Sequence, residues 1–456
     1  MISISESESI AEEKPSAKTA CFIFPEASGH INSSLALSAR LAKKGWKIHY
    51  LSAMVMKDVI EQTGATFDDE RTVAPELCQG GLGYFAAYER LREEKCPGSK
   101  AWEGRAHLEN HFLPMKLPGT IDWLRQKQPD VVLYCPICNR IVQIASRVLD
   151  IPHVAIVTIA GFGGFHKILS SELNQYNLDR SLFGEGSPLY YFGRDPDCAP
   201  YGMTLGKHTL VTTIPSLRDP IFDSIDKEDR LYMDKCGSRM HYIGPMLGEP
   251  GLSRASTHKA AFTEEEQRLL MEQSECVHRR RSQLHPNKQE DLVGIVKDAK
   301  NLGRRVVLVS LGTVVTSDRL AFGWKGTGLG GMPQVDILRL MDCSDLFVHH
   351  GGQNSVMEGG YAGIPMVVCP TFSDQPVNAA KLVKLKVALS VDRPTKSGRR
   401  AVKDYTAKVA KAVSAIFETQ ESFAAAALDL KREIALGGGE DTAEVTILEA
   451  IRCGVW

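Results

Sequence analysis

The residues best equipped for chemistry lie between Pro333 and Gln375, in PQVDIL and then DLFVHHGGQNSVMEGGYAGIPMVVCPTFSDQPVNAAK. Asp345 to His349 is a short, mostly apolar run that reads as a strand, and Gly351-Gly352 follow the His349-His350 pair. Asn354 and Ser355 then open a helix. Glycines let a backbone approach a ligand closely, and a helix N-terminus offers free N–H groups with a partial positive charge. Gly351, Gly352 and the helix start therefore suit a diphosphate. Asn354 and Ser355 can cap or donate, and His350 can donate to a phosphate oxygen. Glu358 lies about one turn into the helix, where its carboxylate could accept two hydroxyls of the kind a ribose offers. Asp374-Gln375 follows the next strand at the same rim of the sheet and suits sugar hydroxyls. Each piece also has a plain structural reading. Ser355-x-x-Glu358 matches a capping box, His349 suits a packed strand position, and Asp374 suits a helix cap.

Three other clusters compete. Gly29-His30 sits at the first strand-to-helix turn, where α/β sheets place catalytic groups. Asp195-Pro196-Asp197 has the form of a cation-binding Asp-x-Asp, but its internal proline and the flanking Gly193 and Pro200 make it a turn. Cys135-Pro136-Ile137-Cys138 is a Cys-x-x-Cys with no second such pair in the chain, so structural thiols are expected rather than a zinc centre. No Gly-x-x-x-x-Gly-Lys-Ser/Thr loop occurs.

These residues need a scaffold, and the pattern supplies one. Ala20 to Pro25 reads as a buried strand, and Ile31, Leu35, Ala39 and Ala42 recur at helical spacing. Gly45 is a C-cap, and Lys47 to Ser52 returns to strand character. That is a βαβ unit, which predicts a parallel sheet with sites at strand C-termini. Pro129–Tyr134 and Ile151–Val157 continue the first half; Arg305–Ser310, Asp345–His349 and Pro365–Cys369 build the second. Residues from about 70 to 120 lack clear periodicity and read as a partly helical insertion.

The 456 residues allow two or three domains. A net charge of −1, from 54 basic and 55 acidic side chains, gives no global field toward nucleic acid or anionic lipid. The basic run Arg279 to Arg281 reads as a solvated face. Eleven cysteines without a regular framework point to a reducing, cytoplasmic setting. The Ser/Glu-rich start reads as a disordered leader, and no apolar run is long enough to span a bilayer, which leaves peripheral membrane contact open.

The Pro333–Gln375 segment resembles the C-terminal signature of the UDP-glycosyltransferase family, which includes plant small-molecule and bacterial macrolide glycosyltransferases. The resemblance implies an α/β GT-B fold of two Rossmann-like domains facing across a cleft. It implies a leader at 1–18, an acceptor-binding domain at 19–245 and a linker with a helical segment at 246–300. A nucleotide-sugar domain at 301–430 and a segment at 431–456 that crosses back to the first domain complete it. Matching positions imply Gln334 near the base, Glu358 on the ribose, and His350, Asn354 and Ser355 at the phosphates. Asp374 and Gln375 would face the donor sugar. Ser310-Leu311-Gly312-Thr313 resembles the phosphate loop after the first strand of the C-terminal domain, and Tyr242-Ile243-Gly244-Pro245 the connection between domains. His30 matches the general base, which implies inverting transfer of a hexosyl group from a UDP-sugar to a hydroxyl of a small lipophilic acceptor. No metal or cofactor is implied, because the helix dipole and His350 can supply positive potential.

Two departures keep a second expectation open: a catalytically impaired relative that binds sugar nucleotide or acceptor without efficient turnover. Cys135 stands where the family has an Asp that pairs with its His, unless Asp122 or Glu109 substitutes. Only the 21 residues 313–333 separate Gly312 from Gln334, too few for the expected crossover, and Gly331 stands at a position that is often aromatic.

Overall fold

Two all-parallel sheets organise the chain in a computed structural model that describes residues 17–77, 90, 91, 94, 105–136, 138, 139, 141–160, 208–218, 240–255, 292–310, 333–371, 374–394 and 398–454. The first sheet contains β1 (Thr19–Ile23), β2 (Lys47–Ser52), β3 (Thr66–Asp69), β4 (Val131–Tyr134), β5 (His153–Val157), β6 (His208–Val211) and β7 (Met240–Tyr242). Its order is β3-β2-β1-β4-β5-β6-β7, so the chain reverses direction across the sheet between β1 and β4. Ligands bind at such switch points, beyond the carboxyl ends of the strands. The helices of this half are α1 (Ser28–Lys43), α2 (Lys57–Glu61), α3 (Arg105–Lys127) and α4 (Ile141–Val148).

Alternation along the strands explains why both faces are covered. Phe22, Leu133 and Ile156 point to one side and pack with Ile31, Leu35 and Leu41 of α1. Cys21, Ile23, Val132 and Tyr134 point to the other and pack with Leu124 of α3 and Val142 of α4. The near-continuous apolar runs are what a parallel sheet buried on both faces requires. Helix α3 covers the last part, 105–120, of the stretch expected to be a partly helical insertion. Pro114 and Pro118 within it break the periodic signal that would have marked it as a helix.

The second sheet has the order β11-β10-β9-β8, from β8 (Val307–Ser310), β9 (Leu346–His349), β10 (Met366–Val368) and β11 (Ala388–Ser390). Helices α5 (Leu292–Asn301), α6 (Gln334–Leu340), α7 (Gln353–Ala362) and α8 (Gln375–Lys384) alternate with these strands, and α9 (Arg399–Glu418) and α10 (Gln420–Gly437) follow. Asp345 fixes the entry to β9. It is fully buried, and its carboxylate accepts from Lys300 Nζ at 2.7 Å, Val306 N at 2.8 Å and Asp342 N at 2.8 Å. Removing it strands two backbone donors and leaves Lys300 with Asp342 alone, so Asp345→Ala is expected to cost about 3 kcal/mol of C-terminal domain stability. Asp345→Asn, which keeps an acceptor, is expected to cost less. Urea unfolding checks both, and a loss under about 0.5 kcal/mol for the alanine variant would contradict the assignment.

Helix α11 (Glu440–Cys453) turns back onto the first sheet. Ala443, Ile447 and Ala450 join the core around β1 and α1. Arg40 of α1 and Lys44, just after it, pair with Glu444, and Arg40 also pairs with Asp441. The hinge of this return is tight: a Cβ on Gly437 would lie 2.6 Å from the Ile243 carbonyl oxygen. The charged stretch TEEEQRLLMEQ (263–273), expected to be helical, the basic run 279–281 and Asp195-Pro196-Asp197 lie outside the described residues.

Candidate active site

The cradle of the second sheet begins at His349. This ring is fully buried and stacks on Phe347 with centroids 4.6 Å apart. Its Nδ1 accepts from Gly351 N at 3.1 Å, which shapes the turn. Gly351 has φ +89°, and a Cβ there would lie 2.9 Å from Val368 Cγ1 and 3.1 Å from the Gln375 carbonyl oxygen. Only glycine satisfies both constraints. Asn378 donates to the Gly351 carbonyl at 3.0 Å and to Asp374 Oδ2 at 2.9 Å, tying the α7 and α8 starts together. Helix α7 starts at Gln353 with Gly352 as its N-cap, so its first amide groups carry no side-chain cap. Ser355 is the third residue of the helix, so the Ser355–Glu358 capping box does not form.

His350 lies over Gly352, where an added Cβ would meet the imidazole. Its ring bonds the Ser310 backbone, and loss of solvent with nearby Arg393 lowers its pKa to about 4. His350 is therefore neutral at pH 7. Its single N–H is engaged by the Ser310 backbone, so it does not supply the positive potential expected of it, and Arg393 is the cation beside this turn. Nothing in the sequence motif singled out Arg393, which follows β11.

Glu358 is only 4% exposed, and its carboxylate is already engaged. Arg254 pairs with Oε1 at 2.7 Å and Gln334 donates to Oε2 at 2.5 Å. Gln334 also approaches Ser355 Oγ at 3.5 Å. Gln375 accepts from Thr371 N at 2.8 Å. A narrow cleft is lined by Ser33, Thr212, Pro245, Arg254, Asn354 and Glu358. Gly312, Thr313, Gly331 and the short 313–333 segment lie outside the described residues, apart from Pro333.

His30 stands on the first turn of α1, the helix that gives Ser33 to this cleft. Asn354 Nδ2 donates to the Gly29 carbonyl at 3.3 Å, so the start of α7 meets the His30 turn directly. Gln353 reaches the Thr212 carbonyl at 3.2 Å, and Lys381 the Leu217 carbonyl at 2.9 Å. His30 Nδ1 lies 3.1 Å from Thr158 Oγ1 and 3.3 Å from Cys135 Sγ. Cys135 follows β4, Thr158 follows β5 and His30 follows β1, so the switch point of the sheet assembles all three. Thr158 was not identifiable in the sequence, because a threonine after a strand carries no motif. Asp122 is mostly exposed and pairs with Arg125 at 2.7 Å, so it does not serve His30. The side chain of Glu109 lies outside the described ones.

Residues 329–405 match the sequence model of the UDP-glucoronosyl and UDP-glucosyl transferase family. Residues 329–405 thus carry the signature of the UDP-glycosyltransferase family. A mouse UDP-glucuronosyltransferase 3A1 is 42% identical over 64 residues, covering 14% of this chain and 12% of that protein. Human UDP-glucuronosyltransferase 3A2 is 45% identical over 60 residues, covering 13% and 11%. The aligned segment thus spans about an eighth of these relatives. Among solved structures, the glycotransferase of kitacinnamycin matches with TM-score 0.61 at 18% identity, over 96% of this chain and all of that one. Spinosyn forosaminyltransferase SpnP matches with TM-score 0.54 at 16% identity, over 95% and 100%. The UDP-glycosyltransferase signature is thus confined to one stretch, while the GT-B fold extends over nearly the whole chain. Among the described residues, no helix is long and apolar enough to cross a membrane.

Proposed function

We propose that the protein transfers a hexosyl group from a UDP-sugar to a hydroxyl of a small lipophilic acceptor, with inversion and in a cytoplasmic setting. The observation that carries this reading is the Asn354–Gly29 contact, which sets the open amides of α7 against the His30 turn. In this reading the acceptor oxygen attacks the anomeric carbon as the bond from that carbon to the UDP oxygen breaks. His30 Nε2 takes the acceptor proton, with Nδ1–H donating to Thr158. The α7 amides and the charge of Arg393, beside His350, stabilise the departing diphosphate. Glu358 and Gln334 hold the nucleoside, and Asp374 and Gln375 the sugar. This mechanism uses no metal or cofactor.

The second reading is a binder with impaired turnover. It is favoured by one observation: the groups beside Nδ1 are a hydroxyl and a thiol, neither of which stabilises imidazolium as a carboxylate does. Calorimetric UDP binding together with UDP release from UDP-glucose, over a panel of phenols and sterols, separates the two. Release that depends on His30 supports transfer, and binding without release supports the binder. Absence of UDP binding ends the transfer reading and leaves only a binder of acceptor.

Arg254 adds a further expectation. A ribose reaching Glu358 must displace the guanidinium now paired with it. Arg254→Ala is therefore expected to tighten UDP binding by about tenfold, the equivalent of roughly 1.4 kcal/mol. Weaker binding in that variant would mean that Arg254 contacts the donor instead.

A further inference from the structure

Sequence alone offered two sulfur ligands and no partner for them. The fold brings a third donor from 105 residues away. His30, Cys135 and Cys138 each present a ligand atom, all within 4.8 Å of one another, and Cys135 Sγ is 3.3 Å from His30 Nδ1. Cys135 is buried, whereas His30 and Cys138 are half-buried. Among the described residues this is the one group of three His, Cys, Asp or Glu side chains placed to hold an ion.

We propose that His30 Nδ1, Cys135 Sγ and Cys138 Sγ form a zinc-class cation site, with a fourth position open to a small ligand. Two sulfurs and one imidazole select a borderline or soft ion over magnesium or calcium, which require oxygen donors. Zinc lies about 2.3 Å from sulfur and about 2.0 Å from nitrogen, so the donors need to close by only about 1 Å. Charge also favours the site. Binding releases one proton from each thiol to solvent, and two thiolates neutralise the 2+ ion, so no net charge is placed beside the buried end of β4. Cys-x-x-Cys supplies both sulfurs from one turn, and α1 supplies the nitrogen from a rigid element.

The ion and the proposed base exclude each other, a consequence that rests on the transferase reading. With a cation on Nδ1, the single proton of the neutral ring resides on Nε2. His30 can then donate but cannot take the acceptor proton. A loaded site is a switched-off transferase.

Cobalt(II) titration of the full, phosphine-reduced chain tests the binding directly. A single equivalent is expected to give tetrahedral visible bands with thiolate charge transfer in the near ultraviolet. His30→Ala, Cys135→Ser and Cys138→Ser should each weaken binding by at least about tenfold, and zinc should displace the cobalt. Circular dichroism of each variant verifies folding, and Cys138→Ser, at the half-buried ligand, is the decisive one. No saturable spectrum, or a spectrum unchanged in a folded Cys138→Ser, overturns the site, because the chain has eleven cysteines that could bind elsewhere. UDP release provides the separate arm. Zinc should suppress release by the native chain at least about tenfold more than by Cys138→Ser. Equal suppression of the two overturns the switch, whereas failure of all release defeats the transferase reading and leaves the cobalt spectrum to decide the site.

Discussion

Cys135→Asp is expected to raise kcat/KM for UDP-sugar turnover by at least about tenfold, and the gain should vanish when His30 is also replaced by Ala. Cys135 Sγ already lies 3.3 Å from His30 Nδ1, so a carboxylate grown from the same Cα reaches the same nitrogen. A thiol there gives orientation at best. A carboxylate fixes the tautomer that leaves Nε2 free and stabilises the imidazolium as the proton arrives. In the serine-protease example that contribution is roughly 10⁴-fold. Here the expectation is lower, because Thr158 already orients the ring and Cys135 is fully buried, so desolvating an aspartate offsets part of the gain. The measurement is initial-rate UDP release for the native chain, Cys135→Asp, His30→Ala and the double variant. A gain that survives loss of His30, or no gain in a folded protein, would remove His30 from the proton-transfer step.

Acidification from pH 7 to about 4.5 is expected to remove roughly 5 kcal/mol of stability from the C-terminal domain. The cause is the His349-His350 pair. Burial lowers His349 to about 3, with the adjacent His350 contributing, and lowers His350 to about 4 with help from Arg393. Unfolded, each ring would titrate near 6.5. Between that value and the folded values the unfolded chain binds more protons than the folded one. The stabilising contribution is therefore complete above about pH 6.5 and is lost as pH falls. Asp342, held at about 2 by Lys300 and Ser344 against the opposing effect of burial, loses its contribution only below its ordinary value of 3.8, outside this window. A domain with an ordinary 5–15 kcal/mol of stability would be close to unfolding at pH 4.5. Urea midpoints across this range measure the slope, and His349→Asn should halve it while costing stability at pH 7. A midpoint that is flat from pH 7 to 4.5 would mean that the rings are solvated.

The sheet cores and the cradle were legible for the same reason. A strand buried on both faces must be apolar throughout, and a turn that meets a ligand must be glycine-rich. Both constraints write themselves into the sequence at β1, β4, β9 and Gly351. The short β6 and β7 and the proline-bearing α3 left no comparable trace. The composition of the His30 surroundings was half legible. Position 135 was readable by resemblance, but Thr158 and the approach of Cys138 depend on loops meeting at one end of the sheet. Arg254 on Glu358 was hidden for a related reason, since a contact between lobes has no sequence period at all.

The closing of α11 over the first sheet has a consequence for how the protein is made. Ala443, Ile447 and Ala450 complete a core whose other walls, Phe22 and Leu35, are synthesised some four hundred residues earlier. The nascent first lobe must wait on the ribosome with that apolar wall bare while the second lobe is still being translated. The first lobe is thus finished only when α11 docks on it, and its need for chaperone cover lasts through synthesis of the second lobe.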